Sequence, residues 1–152
     1  MLEDFIKISD HVYIGNKYDY IRNKDKLKNA IFVCATNTKD INVNQENAFR
    51  GNTLFLNLID ANDIKYINDD AMYLFMKVYQ ENKDKIFIIF CDKGFSRSPS
   101  LALLILLWEH DERIIDNDFN KIIQKFKQIC PDYTPNKGIL DYICYLWEKT
   151  NV

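Results

Sequence analysis

The chain has 152 residues, 47% hydrophobic and 28% charged, which is enough to bury a core and too apolar for a disordered segment. A formal net charge of -2 argues against a nucleic-acid binder, which carries a basic face, so no nucleic-acid partner is expected. Four cysteines without paired spacing (Cys34, Cys91, Cys130, Cys144) and two histidines (His11, His110) argue against a zinc site or any other metal.

The opening MLEDFIKISD mixes acids and a lysine with no long apolar run, so it does not read as a signal peptide. LALLILLW (101–108) is too short to span a bilayer. Reduced thiols in the cytoplasm, no membrane partner, no cofactor and one domain over 1–152 are the expectations.

In chain order, HVYIG (11–15) and AIFVCAT (30–36) read as strands. The polar, asparagine-rich stretch 37–52 reads as a surface excursion with a helical turn or two. TLFLNLI (53–59) is a third strand, and 71–79 places Ala71, Leu74, Phe75 and Val78 on one helical face. Asp69 and Asp70 then decorate the start of that helix, where its dipole favours negative charge. KIFIIFC (85–91) is a fourth strand, and like AIFVCAT it is nearly all apolar, as in a sheet covered on both faces. Helical spacing returns over 117–130 through Phe119, Ile122, Ile123, Phe126 and Ile129, with Asp116 and Asp118 near the N-terminal end. The last helix is expected to start with Thr134 as cap and Pro135 in first position, then to bury Ile139, Leu140, Ile143 and Leu146. Alternating strands and helices give an α/β fold, with a central, mostly parallel sheet of four to five strands flanked by helices.

Between the last strand and LALLILLW lies FCDKGFSRSPS (90–100). A strand that turns tightly into a helix aims several backbone N–H groups at one point, where the helix dipole also favours negative charge. Gly94 allows the tight turn, and Pro99 fits a first helical turn. The loop Asp92, Lys93, Gly94, Phe95, Ser96 and Arg97 is therefore an expected phosphate cradle between a strand and a helix. A cysteine at its base, Cys91, gains a stabilised thiolate from those donors and from Arg97, and such a thiolate is a nucleophile for a phosphoryl group. Arg97 can grip two phosphoryl oxygens through its planar fork. The Ser98 hydroxyl can bond the sulfur and help it leave. A lone C-x5-R pair arises by chance in about one such chain in ten, so the weight rests on its placement between an apolar strand and an apolar helix.

These residues resemble the signature H-C-x-x-G-x-S-R-S of the small dual-specificity protein phosphatases in the cysteine-dependent tyrosine phosphatase superfamily. HVYIGNKYDY and PNKGILDYICYLWE resemble the family's opening and closing segments, so the likeness covers almost the whole chain apart from 37–52. One departure is Phe90, where the family has a histidine that orients the loop and helps to set the thiol's acidity; phenylalanine packs but cannot donate. The resemblance implies hydrolysis of phosphotyrosine and phosphoserine or phosphothreonine in a phosphoprotein through a cysteinyl-phosphate.

It also implies an aspartate general acid just after the preceding strand. Asp60 directly follows TLFLNLI and is preferred; Asp63 is the alternative, although Asp63-Ile64 also reads as a helix entry that aspartate caps well. Phe95 either flanks a phosphotyrosine ring or simply packs. Other readings are a phospho-residue binding module without turnover, for which Phe90 is the sole support, and a phosphatase for RNA 5′ ends or phosphoinositides. RNA-directed relatives continue Arg-Thr-Gly, unlike Arg97-Ser98-Pro99, and phosphoinositide-directed ones carry more basic loops. Low-molecular-weight tyrosine phosphatases share C-x5-R-S-P, but near their N-terminus and with an Asp-Pro acid that this chain lacks. Cys34 is either a plain buried strand residue, the preferred reading, or a redox partner for Cys91.

Overall fold

The computed structural model describes residues 2–150. Among the described residues, six strands form one sheet: β1 (Ile6–Ser9), β2 (Val12–Asn16), β3 (Ala30–Cys34), β4 (Ala48–Arg50), β5 (Thr53–Phe55) and β6 (Ile86–Cys91). Their order is β1-β2-β6-β3-β5-β4, and the four inner strands are parallel, while β1 and β4 pair antiparallel at the two edges. The helices are α1 (Lys17–Asn23), α2 (Asp69–Glu81), α3 (Arg97–Trp108), α4 (Phe119–Ile129) and α5 (Lys137–Thr150). This is the expected α/β architecture, with both additional strands at the edges, where four and three residues are too few to show a period.

Side chains of the central strands alternate between two apolar layers. On β6, Phe87, Ile89 and Cys91 enter the larger core with α2, α3, α4 and α5. Ile88 and Phe90 enter a smaller core with Phe5, Tyr20, Phe32 and Cys34. Covering both faces is why these strands read as unbroken apolar runs. Helix α3 runs through the larger core, and every residue from Arg97 to Leu106 is buried, so its sequence lacks a polar face.

Phe90 stacks on Tyr20 with ring centroids 4.2 Å apart and planes at 11°, a pair worth about 0.5–1.5 kcal/mol beyond its buried area. Packing therefore fixes the last turn of β6 on this face. Cys34 lies opposite Phe90 in the register, so it shares that face while Cys91 points to the other. Burial pushes the Cys34 thiol up to about 12, with a backbone hydrogen bond at Thr36 opposing. That suits the buried strand residue and not a redox partner of Cys91.

The stretch 37–47 does hold one turn of helical type, closed by Ile41 N and Asn42 N on the Thr38 carbonyl. Buried Asn42 ties it down by donating to the Thr36 and Glu46 carbonyls and accepting from Glu46 N. Two local expectations are corrected. TLFLNLI leaves the sheet after Phe55, and hydrogen bonds from Leu56 N to Cys34 O and from Asn37 N to Leu58 O keep it beside β3. Helix α5 begins at Lys137: the Thr134 hydroxyl donates to the Asp132 carbonyl and caps nothing, and Leu140 N finds the Asn136 carbonyl. Among the described residues, no helix is long and apolar enough to cross a membrane.

Candidate active site

β6 ends at Cys91 and α3 starts at Arg97, so the five residues between them must turn sharply. Gly94 makes the turn with φ of +84°, and a Cβ there would lie 3.1 Å from the Gly15 carbonyl oxygen. Conformation and space both demand glycine. Cys91 sits at the base of the turn, 2% exposed. Its Sγ accepts from Gly94 N at 3.3 Å and Ser98 N at 3.4 Å. The Ser98 hydroxyl lies 3.3 Å from the sulfur and 3.4 Å from the Gly15 carbonyl, so it accepts from a thiol while donating to Gly15, and can turn to donate to a thiolate. Among the described residues, the N–H groups of Lys93, Phe95, Ser96 and Arg97 meet no acceptor. Ser96, at the N-cap of α3, makes no side-chain cap either, so the positive end of a twelve-residue helix stays open to an anion.

Arg97 is buried, and its guanidinium is held along one edge. Nη1 donates to Thr36 Oγ1 (3.2 Å) and to the Leu58 carbonyl (2.9 Å), while Nη2 donates to Asp92 Oδ2 at 3.1 Å. Thr36 Oγ1 and Asp92 Oδ1 are themselves 3.2 Å apart, so both lie along the Nη1–Nη2 edge. The opposite edge, Nε with the second hydrogen of Nη2, is thereby left over, and Nε is buried without an acceptor among the described residues. A buried, unpartnered donor costs about 1–3 kcal/mol, and an oxyanion gripped bidentately removes that cost. Burial raises the Asp92 carboxyl, but bonds from Thr38, Arg97 and Thr36 outweigh it and hold the group below its ordinary range.

The two acid candidates sit differently. Asp60 is exposed, and its Oδ1 accepts from Ser96 Oγ at 2.8 Å, which fixes it to the Cys91 loop. Ser96 Oγ in turn accepts from Asn136 N (2.9 Å), and Asn136 Nδ2 donates to the Asp60 carbonyl (2.8 Å). Behind them Gly138 N donates to the Ala61 carbonyl, and a Cβ on Gly138 would fall 2.4 Å from that oxygen. The start of α5 therefore clamps the Asp60 segment onto the loop. Asp63 instead caps the short 3-10 helix Ile64–Tyr66 by accepting from Lys65 N.

Thus the structure gathers Cys91, Asp92, Gly94, Ser96, Arg97, Ser98 and Asp60 into one site, with exposed Lys93 and Phe95 on the outer side of the loop and Asp63 turned to its cap. Thr36, Thr38, Asn136 and Gly138 were not singled out from the sequence. Their partners in the loop and the Asp60 segment lie 40 to 77 positions away, and no local spacing announces them. A cavity of about 520 Å³ between α2, α3 and α5 is lined by Met72, Leu104, Trp108, Tyr142 and Trp147, among others, and includes none of the loop residues.

No family model matches the chain, and no curated protein matches it in sequence. Solved structures do match in shape. Human DUSP28 superposes with a TM-score of 0.67 at 12% identity, over 98% of this chain and 96% of that one. The PTP-2 phosphatase of Cydia pomonella gives 0.66 at 17% identity, over 92% and 88%. The Yvh1 phosphatase domain from Chaetomium thermophilum gives 0.66 at 16%, over 95% of each chain. The chain has the dual-specificity phosphatase fold. At such identities the likeness speaks for the fold alone. The dual-specificity phosphatase fold supplies the strand-loop-helix turn, and the chemistry has to be argued from the side chains in it.

Proposed function

We propose that the chain is a protein phosphatase that hydrolyses phosphotyrosine and phosphoserine or phosphothreonine through a cysteinyl-phosphate on Cys91. The observation that carries this is the Arg97 fork: a guanidinium tied back along one edge, with its other edge buried and unpartnered, beside a sulfur under converging N–H groups. That is a seat for a tetrahedral oxyanion next to a nucleophile.

In the first step the Cys91 thiolate attacks phosphorus and forms the S–P bond, while the bond from phosphorus to the ester oxygen breaks. Asp60 gives its proton to that oxygen, so the alcohol or phenol leaves neutral. Loop N–H groups and Arg97 hold the equatorial oxygens, whose charge they are already oriented to meet. In the second step Asp60, now a carboxylate, takes a proton from water as the water oxygen attacks phosphorus. The S–P bond breaks, the electron pair returns to sulfur, and Ser98 turns to donate to it. No metal enters either step. Phe95, 46% exposed, is free of the core and available to flank an aromatic ring of the substrate. The free cysteines fit a reducing compartment such as the cytoplasm.

The decisive experiment is an acid quench during turnover of p-nitrophenyl phosphate, then of phosphotyrosine and phosphothreonine peptides, with mass spectrometry of the peptide carrying Cys91. One added phosphoryl group on Cys91 is expected. Phosphopeptide binding with no product and no adduct would overturn the proposal in favour of a binding module.

Arg97→Lys is expected to lower kcat for p-nitrophenyl phosphate by roughly 10²–10³-fold. Lysine keeps the charge but offers no planar fork, and it leaves Asp92 without its bidentate-capable partner. Steady-state kinetics that place this variant within threefold of the wild type would show that the fork does not bind the reacting phosphoryl group.

A further inference from the structure

We propose that Thr38 is a positioning residue for oxyanion binding: it fixes the Asp92 carboxylate, and Asp92 in turn keeps the Arg97 fork open to the cradle. The inference rests on the reading of Cys91 and Arg97 given above and adds a residue outside the loop to it.

The contacts form a closed ring. Thr38 Oγ1 lies 2.7 Å from Asp92 Oδ2 and 2.9 Å from Oδ1, the shortest contacts that carboxylate makes. It also lies 2.8 Å from Thr36 Oγ1, which accepts from Arg97 Nη1. Asp92 Oδ2 closes the ring by accepting from Arg97 Nη2. Thr38 N donates to Thr36 Oγ1, so the two threonines hold each other's orientation as well.

The segment that carries Thr38 is itself pinned. Asn42 anchors it from inside through the Thr36 carbonyl, and Lys17 pairs with Asp40 at 2.9 Å beside it. Lys17 opens α1, directly after Asn16, which lies opposite Cys91 in the sheet register. A rim segment with two independent anchors can hold one hydroxyl in place.

Charge explains why a restraint is needed. Asp92 is the residue next to the nucleophile, its side chain is 30% exposed, and a phosphoryl dianion arrives close by. A carboxylate free to swing has a second hydrogen-bonding option on the same guanidinium, the Nε edge, where it would compete with the phosphoryl oxygens. Thr38 commits both carboxylate oxygens to the far edge. The negative charge then orients Arg97 and does not block it.

The test is Thr38→Val, with Thr38→Ser as the conservative variant, assayed with p-nitrophenyl phosphate and with orthovanadate as inhibitor. Valine keeps the shape and removes the hydroxyl. KM and the vanadate inhibition constant are expected to rise about tenfold in Thr38→Val, with kcat falling less than threefold, an unchanged melting temperature, and recovery in Thr38→Ser. Wild-type values of KM and vanadate inhibition in Thr38→Val would overturn the inference. So would a lowered melting temperature with kcat and affinity falling together, because that marks a merely structural role. If the wild type itself shows no turnover, the proposed function fails, and calorimetric titration of wild type and Thr38→Val with vanadate still decides the inference by the same tenfold difference.

Discussion

Cys91→Ser is expected to abolish hydrolysis, lowering kcat by about 10⁶-fold, the scale found when a covalent hydrolase loses its nucleophile. A serine hydroxyl stays protonated at neutral pH, and nothing near position 91 serves as a base for it. The surrounding polar groups are the Gly94 and Ser98 N–H donors and the Ser98 hydroxyl, which itself leans on the Gly15 carbonyl. The same variant leaves the loop N–H groups and the Arg97 fork untouched. Phosphopeptide affinity is therefore expected to survive within a few-fold while turnover disappears. Paired measurements of product formation and of peptide binding by calorimetry check both halves. Residual hydrolysis within tenfold of wild type would remove Cys91 from the chemistry, and loss of binding together with turnover would point to a collapsed loop.

What could be read from the sequence follows from how locally each feature is encoded. The Cys91–Arg97 turn is contiguous, its glycine is required by φ and by space, and its flanking strand and helix are apolar without interruption. Each of those signals lies within 20 residues. The edge strands β1 and β4 are too short for a period, and their pairing is set by neighbours in space. Thr134 looks like a cap from its position before Pro135, yet its hydroxyl turns back to the Asp132 carbonyl while its N–H binds Phe95 of the loop across 39 positions. The ring through Thr36, Thr38, Asp92 and Arg97 was equally hidden, since threonine has many unremarkable uses in a polar loop. Phe90 is the converse case. It departs from the resembled signature, and only the stacked Tyr20 partner shows that packing secures this face of β6.

The second large effect separates the two aspartates. Asp60→Asn is expected to lower kcat for phosphotyrosine peptide by roughly 10²–10⁴-fold. Asparagine preserves the acceptor that Ser96 Oγ uses, so the Asp60 segment stays clamped by Asn136 and Gly138 while the transferable proton is lost. The size of the loss must track the leaving group: a tyrosine phenol, with a pKa of about 10, needs the proton far more than the more acidic p-nitrophenol does. Asp63→Asn is expected to keep kcat within about threefold of the wild type, because Asp63 spends its carboxylate on the Lys65 N–H of a 3-10 turn and shares no hydrogen bond with the Cys91 loop. Steady-state kinetics in which Asp63→Asn alone shows that loss would transfer the proton to the other aspartate, and the clamp of α5 on Asp60 would then be architecture without chemistry.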